Sequence, residues 1–247
     1  MIKLAVSGCC GKMGRRIVAL AGADKAVQLV GALEQPGHPA IGKKLSDVLV
    51  IPGFDFNVVS NPEILKDADV LIEFTNPATT VEHLISAVKY KKTMVIGTTG
   101  LELPQLEKIK QASTKIPILF SPNMSLGVNL VFRLVKELAE KLTREYQVDI
   151  TEVHHVHKLD APSGTAKRLM EIIKEMPEWE NEHIKIDSIR EGEIVGDHQV
   201  HFSSPGDSII IKHSAKTRNI FAQGALIAAK FIIQQKPGLY DMQDVIG

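Results

Sequence analysis

The stretch Lys3-Leu4-Ala5-Val6-Ser7-Gly8-Cys9-Cys10-Gly11-Lys12-Met13-Gly14 decides the fold. Lys3 to Ser7 reads as a short apolar strand that runs into glycines at 8, 11 and 14. Met13, Ile17, Leu20 and Ala21 then recur at helical spacing. Strand, glycine turn and helix is the context that a dinucleotide-binding fingerprint requires. The spacing here is Gly-x-x-Gly-x-x-Gly, not the commoner Gly-x-Gly-x-x-Gly. Missing side chains let the backbone approach a pyrophosphate, which rests on the open N–H groups of the helix start. A tight turn with no ligand would use the same glycines, so the next strand matters. Val27 to Leu33 ends in Glu34, an acidic residue placed to hydrogen-bond ribose hydroxyls. Gln35 follows where an arginine would hold a 2′-phosphate, and Lys12 is the nearest other cation. Glu34 with Gln35 predicts that NADH is used at least as readily as NADPH.

Outward from this turn, strands and helices alternate. Residues 35–57 are rich in Gly, Pro and Lys and read as a loop with one short helical turn. Strands are predicted at Asp69–Phe74, Thr93–Ile96 and Pro117–Phe120, with helices at about Ala78–Tyr90 and Pro104–Ala112. Such alternation predicts an α/β fold, a Rossmann-like doubly wound parallel sheet. Ligands of these sheets bind beyond the carboxyl ends of the strands. Phe74-Thr75, Gly97-Thr98-Thr99 and Ser121-Pro122-Asn123 are therefore candidates to line a nicotinamide, or else ordinary connecting turns. Val131, Leu134, Val135, Leu138 and Leu142 make a core stripe on a helix from Gly127 to Leu142. The alternation lapses after it. Pro177–Glu182 reads as a charged linker. Ile184–Arg190, His198–Ser203 and Ser208–His213 read as strands, the last two joined through Ser204-Pro205-Gly206-Asp207. An open mixed sheet is expected there, able to pair with another subunit. The last helix, Asn219–Gln234, is expected to return to the first domain. The expected division is a dinucleotide-binding domain, 1–126 completed by 214–247, and a smaller α+β domain, 127–213.

That smaller domain holds Glu152-Val153-His154-His155-Val156-His157-Lys158-Leu159-Asp160-Ala161-Pro162-Ser163-Gly164-Thr165-Ala166. Val148 to Val153 alternates like a strand. Pro162 is expected in the first turn of a helix that Ser163 or Thr165 starts. Histidines thus end a strand, Lys158 sits in a loop, and a helix start opens nearby. The open N–H groups and the helix dipole favour an anion, and histidine is the side chain suited to moving a proton near neutral pH. A site for carboxylate or phosphate that also handles a proton is the reading. A metal site fits poorly. His154 and His155 point to opposite faces of a strand, and no Cys or carboxylate stands at zinc spacing. A serine-hydrolase elbow is excluded because Ala161 stands where Gly-x-Ser-x-Gly needs glycine. The bland alternative is a polar loop with a helix cap.

The bulk numbers agree with a globular protein. The 247 residues are 44% hydrophobic and 23% charged, and 29 basic residues balance 29 acidic ones. Zero net charge argues against a nucleic-acid surface. No apolar run reaches membrane-spanning length and no signal peptide is visible. The adjacent Cys9 and Cys10 form neither a CxxC motif nor a disulfide framework, which suggests a reducing, cytoplasmic setting.

Taken together, these motifs resemble the dihydrodipicolinate reductase (4-hydroxy-tetrahydrodipicolinate reductase) family of lysine and diaminopimelate synthesis, nearly end to end. The signature-like part is Glu152-x-His154-His155-x-x-Lys158-x-Asp160-Ala161-Pro162-Ser163-Gly164-Thr165-Ala166. Gly8-x-x-Gly11-Lys12-Met13-Gly14, Phe74-Thr75-x-Pro77, Gly97-Thr98-Thr99-Gly100, Ser121-x-Asn123-x-Ser125-x-Gly127-Val128-Asn129 and Arg190-x-Gly192-x-x-x-Gly196-x-His198 support it. The resemblance implies NAD(P)H-dependent reduction of a cyclic dicarboxylate by a homotetramer, with His154 as catalytic acid/base and Lys158 as second proton donor and substrate contact. It implies that His155, Ser163, Gly164 and Thr165 bind substrate carboxylates. It implies that Gly8, Cys9, Cys10, Gly11, Lys12, Met13, Glu34, Gly97, Thr98, Thr99, Ser121, Pro122, Asn123 and Met124 hold the cofactor. Gln35 and Met124 depart from the family, which often has Arg and an aromatic there. Rival readings are a reductase of another cyclic imine and a nucleotide-sensing protein without catalysis.

Overall fold

A computed structural model describes all 247 residues. The chain packs as two units, Met1–Met124 with Asn219–Gly247, and Ser125–Arg218.

The first unit is built on six parallel strands: β1 (Ile2–Ser7), β2 (Val27–Leu33), β3 (Val70–Glu73), β4 (Thr93–Ile96), β5 (Pro117–Phe120) and β10 (Gly238–Tyr240). Their order is β10-β5-β4-β3-β1-β2. Leu4 to Val6, Val70 to Ile72 and Met94 to Ile96 are fully buried. Near-continuous apolar runs are what a parallel sheet covered on both faces demands. Its helices are α1 (Gly14–Ala23), α2 (Leu45–Leu49), α3 (Pro77–Tyr90), α4 (Leu103–Ser113), α7 (Asn219–Ile232) and α8 (Met242–Ile246). Their starts are set locally. Asn76 accepts from Thr79 N ahead of Pro77, and Glu102 with Gln105 forms a capping box. The buried face of α7 carries Ala222, Ala225, Ala228 and Ala229, small residues that let a helix lie close to its neighbours. Three short elements have no sequence periodicity to announce them: the 3₁₀ turn Pro62–Asp67, β10 and α8.

The second unit is a four-stranded mixed sheet in the order β7-β6-β8-β9. β6 (Gln147–His154) runs parallel to β7 (Lys185–Arg190) and antiparallel to β8 (Gly196–Ser203), which pairs antiparallel with β9 (Ser208–Ala215). One face packs with α5 (Leu126–Lys141) and α6 (Gly164–Lys174), burying Val148, Ile150, Val200 and Phe202 against Val131, Val135, Leu169 and Ile173. Each such side chain contributes roughly 1.5–3 kcal/mol when removed from water. Trp179 joins this core, 2% exposed, with its ring 6.2 Å from that of Phe202 and its Nε1 donating to Ala139 O at 2.9 Å. The stretch expected as a charged linker therefore carries a core anchor. No helix is long and apolar enough to cross a membrane.

Candidate active site

Side chains two apart on a strand share a face. On β6 the inward set is Val148, Ile150, Glu152 and His154, and on β8 it is Gly196, His198, Val200 and Phe202. One buried face thus grades from core into chemistry. Register completes the cluster, because Glu152 lies opposite His198 and His154 lies opposite Arg190.

Glu152 is fully buried and organises its neighbours. Its Oε2 accepts from His154 Nδ1 in a short hydrogen bond. Its Oε1 accepts from Arg190 Nη2 at 3.0 Å and from the backbone N of Ser163 at 3.3 Å. Burial pushes the carboxyl up, but Arg190 and the His154 ring outweigh it and hold Glu152 below the usual range. An ionised carboxylate only accepts, so His154 carries its resting proton on Nδ1. Nε2 is then the nitrogen left for a ligand. It faces Gly196, where any Cβ would stand 2.8 Å away. Burial lowers the His154 pKa, Glu152 opposes that shift, and Lys158 and Arg190 add to it.

Around this dyad, Ser163 caps α6 by accepting from Ala166 N at 3.2 Å, and its Oγ lies 3.1 Å from His198 Nε2. Ala161–Pro162 is a cis peptide, and Pro162 precedes the cap. The expectation of Pro162 in the first helical turn is corrected: Ser163 takes the cap, so α6 starts at Gly164. Arg190 also donates to Asp160 O at 2.6 Å, tying the loop to β7. Lys158 pairs with Asp160 at 2.8 Å, and its charge holds the Asp160 carboxyl low. Arg218 Nη2 donates to His155 Nε2 at 3.1 Å. His157 lies on the surface, 3.4 Å from Glu193.

Glu152, His154 and His198 each place one possible ligand atom within 4.8 Å of the others. Spacing in sequence hid this convergence. Arg190 already balances the carboxylate, and a second cation there would meet its positive charge.

In the first unit the glycine turn has the form a bound pyrophosphate needs. Gly8 has φ +70°, and a Cβ on it would stand 2.6 Å from Phe74 O. A Cβ on Gly14 would stand 2.0 Å from Gly8 O. Gly8 N and Cys9 N both donate to Leu33 O at 3.0 and 3.2 Å, and Cys10 N donates to Glu34 Oε1 at 2.8 Å. The carboxylate at the end of β2 is thereby set against the turn, and Lys12 is exposed. These residues fit a dinucleotide: a side-chain-free cradle at a helix start with an acid beside it.

The neighbouring strand ends are tied by a buried network that the sequence did not disclose. Glu73 accepts from Thr75 Oγ1 and lies 2.6 Å from His83 Nδ1, which is 3.1 Å from Ser7 Oγ. Thr98, 2% exposed, accepts from Thr75 N at 3.2 Å and from Thr80 Oγ1 at 2.9 Å, so its hydroxyl serves the strand ends. Thr99 and Pro122 are exposed. Ser121 donates to Asn123 O at 2.8 Å, and Met124 is buried.

Sequence reasoning missed Arg190, His198 and Arg218 as members of the second unit's cluster. The first two stood inside a motif, but neither position carried a role.

Two family models match the chain: dihydrodipicolinate reductase, N-terminus, over residues 2–124, and dihydrodipicolinate reductase, C-terminus, over residues 127–246. The chain is 37% identical over 265 residues to the 4-hydroxy-tetrahydrodipicolinate reductase of Syntrophus aciditrophicus (strain SB), covering 100% of this chain and 99% of that protein. It is 39% identical over 263 residues to the protein of the same name from Nitrosomonas europaea, covering 100% and 98%. Among solved structures it is similar to dipicolinate-bound dihydrodipicolinate reductase from Paenisporosarcina sp. TG-14, with a TM-score of 0.83, 26% identity and 99% of each chain covered. An amine dehydrogenase from Mycobacterium smegmatis shares the fold, with a TM-score of 0.64 at 12% identity, covering 96% of this chain and 94% of that one.

Proposed function

Because the chain belongs to the dihydrodipicolinate reductase family, we propose that it reduces 4-hydroxy-tetrahydrodipicolinate to tetrahydrodipicolinate, with NADH or NADPH, in lysine and diaminopimelate biosynthesis. The observation that carries the mechanism is the buried carboxylate on His154 Nδ1, which leaves Nε2 facing the gap at Gly196.

The Gly8–Met13 turn, Glu34, Gly97–Thr99 and Ser121–Met124 hold the cofactor in this reading. When bound, the nicotinamide supplies a hydride to the substrate ring. His154 supplies the proton that quenches the developing charge. At rest, burial keeps its ring neutral. A dianionic substrate adds negative charge that favours the imidazolium, so the acid forms where the substrate binds. Glu152 fixes the ring and favours its charged form. Arg190 keeps Glu152 ionised. Lys158, now paired with Asp160, turns to a substrate carboxylate and steadies charge during proton transfer. The start of α6, an eleven-residue helix, offers the N–H groups of Gly164 and Thr165 to the second carboxylate. His155, backed by Arg218, completes the anion site.

The same reading makes the protein a cytoplasmic homotetramer joined through the mixed sheet. Ile189 and Ile210, 44% and 55% exposed on the sheet face turned away from α5 and α6, support that assignment.

A coupled assay with freshly generated 4-hydroxy-tetrahydrodipicolinate tests the reading. Oxidation of NADH, at least as good as that of NADPH, is expected. His154→Gln should keep NADH affinity and lower kcat by about 10²–10⁴-fold, the contribution typical of a positioned acid. An unchanged kcat would remove His154 from the chemistry.

A further inference from the structure

The glycine turn carries a group of side chains that dinucleotide binding does not explain. Cys9 and Cys10 are free thiols, and their Sγ atoms lie 3.7 Å apart. Glu34 brings a carboxylate oxygen, and the three possible ligand atoms all lie within 4.8 Å of one another. Two thiolates on one tetrahedral zinc-sized ion, with metal–sulfur bonds of about 2.3 Å, must stand about 3.8 Å apart. The observed sulfur spacing already meets that demand. We propose that Cys9, Cys10 and Glu34 form a binding site for a thiophilic divalent cation of zinc's size, and that this ion competes with the dinucleotide for Glu34.

The donor set is two sulfurs and one carboxylate oxygen, with a water as fourth ligand. Binding breaks two S–H bonds and forms two metal–sulfur bonds, and two protons pass to solvent. No electron changes hands. Glu34 is already placed: Oε1 accepts from Cys10 N at 2.8 Å and Oε2 from Gln35 N at 3.2 Å. Each oxygen keeps a lone pair for a metal. Once the thiols give up their protons, the two sulfurs and the carboxylate are anions close together, and the divalent ion between them offsets their repulsion. Burial first, then the adjoining thiol and Glu34, push the Cys9 thiol well up, so without a metal it stays protonated. Arg15 donates from Nε to the carbonyl of Cys10 at 2.7 Å. The second convergent donor group, Glu152 with His154 and His198, lacks sulfur and holds Arg190 on its carboxylate.

The competition, though not the metal site itself, rests on Glu34 being a ribose contact. An ion that engages Glu34 and the two thiols removes the acid from the ribose hydroxyls and fills the mouth of the turn. With free ion 100-fold above its own Kd, the apparent Kd for NADH should rise about 100-fold.

The experiment uses the full chain and Zn²⁺ alone, with equilibrium dialysis for stoichiometry, iodoacetamide labelling of Cys10 read by mass spectrometry, and NADH fluorescence titration with and without the ion. Expected are one zinc per chain, protection of Cys10 from alkylation, loss of the bound zinc in Cys10→Ser, and mutual weakening of zinc and NADH binding. If Cys10→Ser does not fold, the alkylation protection in the unaltered chain decides. No zinc binding, or binding with Cys10 still alkylated at the same rate, overturns the site. Zinc and NADH bound together without effect on each other overturn the competition. The metal-free NADH titration stands apart from these arms: its failure would sink the cofactor reading, while stoichiometry and protection would still judge the metal site.

Discussion

His198 couples the stability of this protein to pH. The side chain is 6% exposed. Its Nε2 lies 3.1 Å from Ser163 Oγ, while Nδ1 is buried with no partner. A charged ring would bury a second N–H with nothing to receive it. Its ring centre is 5.0 Å from that of His154. Burial first, and the charge of His154 second, push the His198 pKa down to about 4 from an ordinary 6.5. The unfolded chain binds this proton near 6.5 and the folded chain only near 4. Between those values the unfolded state holds more protons, so stability is complete above pH 6.5 and is lost as pH falls. At about 1.4 kcal/mol per pH unit, the gap amounts to about 3 kcal/mol, a large share of the 5–15 kcal/mol of an ordinary domain. Trp179, the only tryptophan, is buried in this unit and reports its unfolding. Urea denaturation followed by its fluorescence at pH 7.5 and 4.5 measures the loss. His198→Gln keeps a donor for Ser163 and cannot titrate. His154 and His213, also held low by burial, titrate in both proteins and cancel in the comparison. The unaltered protein should lose about 2–3 kcal/mol more than the variant over this range. Equal losses would show that the buried ring is not what resists protonation.

Three further outcomes follow from the geometry. Glu152→Gln removes the carboxylate that favours the His154 imidazolium, so kcat should fall about 10²-fold, with NADH affinity unchanged and the alkaline limb of the pH–rate profile, where the proton donor is lost, moved to lower pH. An unmoved profile would mean that Glu152 merely supports the fold. Gly196→Ala places a methyl 2.8 Å from His154 Nε2, so kcat should drop while NADH binding holds, and steady-state kinetics with unchanged kcat would show that Nε2 does not face the substrate. Gln35→Arg should raise the NADPH-to-NADH ratio of kcat/KM about tenfold, the worth of one charge-assisted contact of about 1.4 kcal/mol, and no change in the ratio would refute the placement of Glu34 beside the ribose.

What was legible in the chain was local. The glycine turn and Glu34 are joined by one helix and one strand, and apolar periodicity reports both. Glu152 and His154 share a face in any strand, because side chains alternate with period two. The rest of the site depends on register. His198 reaches Glu152 and Arg190 reaches His154 only because β8 and β7 pair with β6 in one alignment. A slip of one residue would turn those side chains to the other face, and the turns between the strands do not declare the alignment. Trp179 was hidden for a related reason. It stands among Pro177, Glu178, Glu180 and Glu182, where composition says solvent, yet packing against Phe202 and a hydrogen bond to Ala139 of α5 outweigh its neighbours. Glu73 and His83 were hidden because each alone argues against burial. Only a partner 2.6 Å away makes burial affordable, and that partner lies on the following helix. Residues whose roles depend on a neighbour in sequence can be read from the chain. Residues whose roles depend on a neighbour in space, Arg190 on Glu152 above all, become visible only when the sheet is assembled, and it is those that hold the carboxylate on which His154 Nδ1 rests.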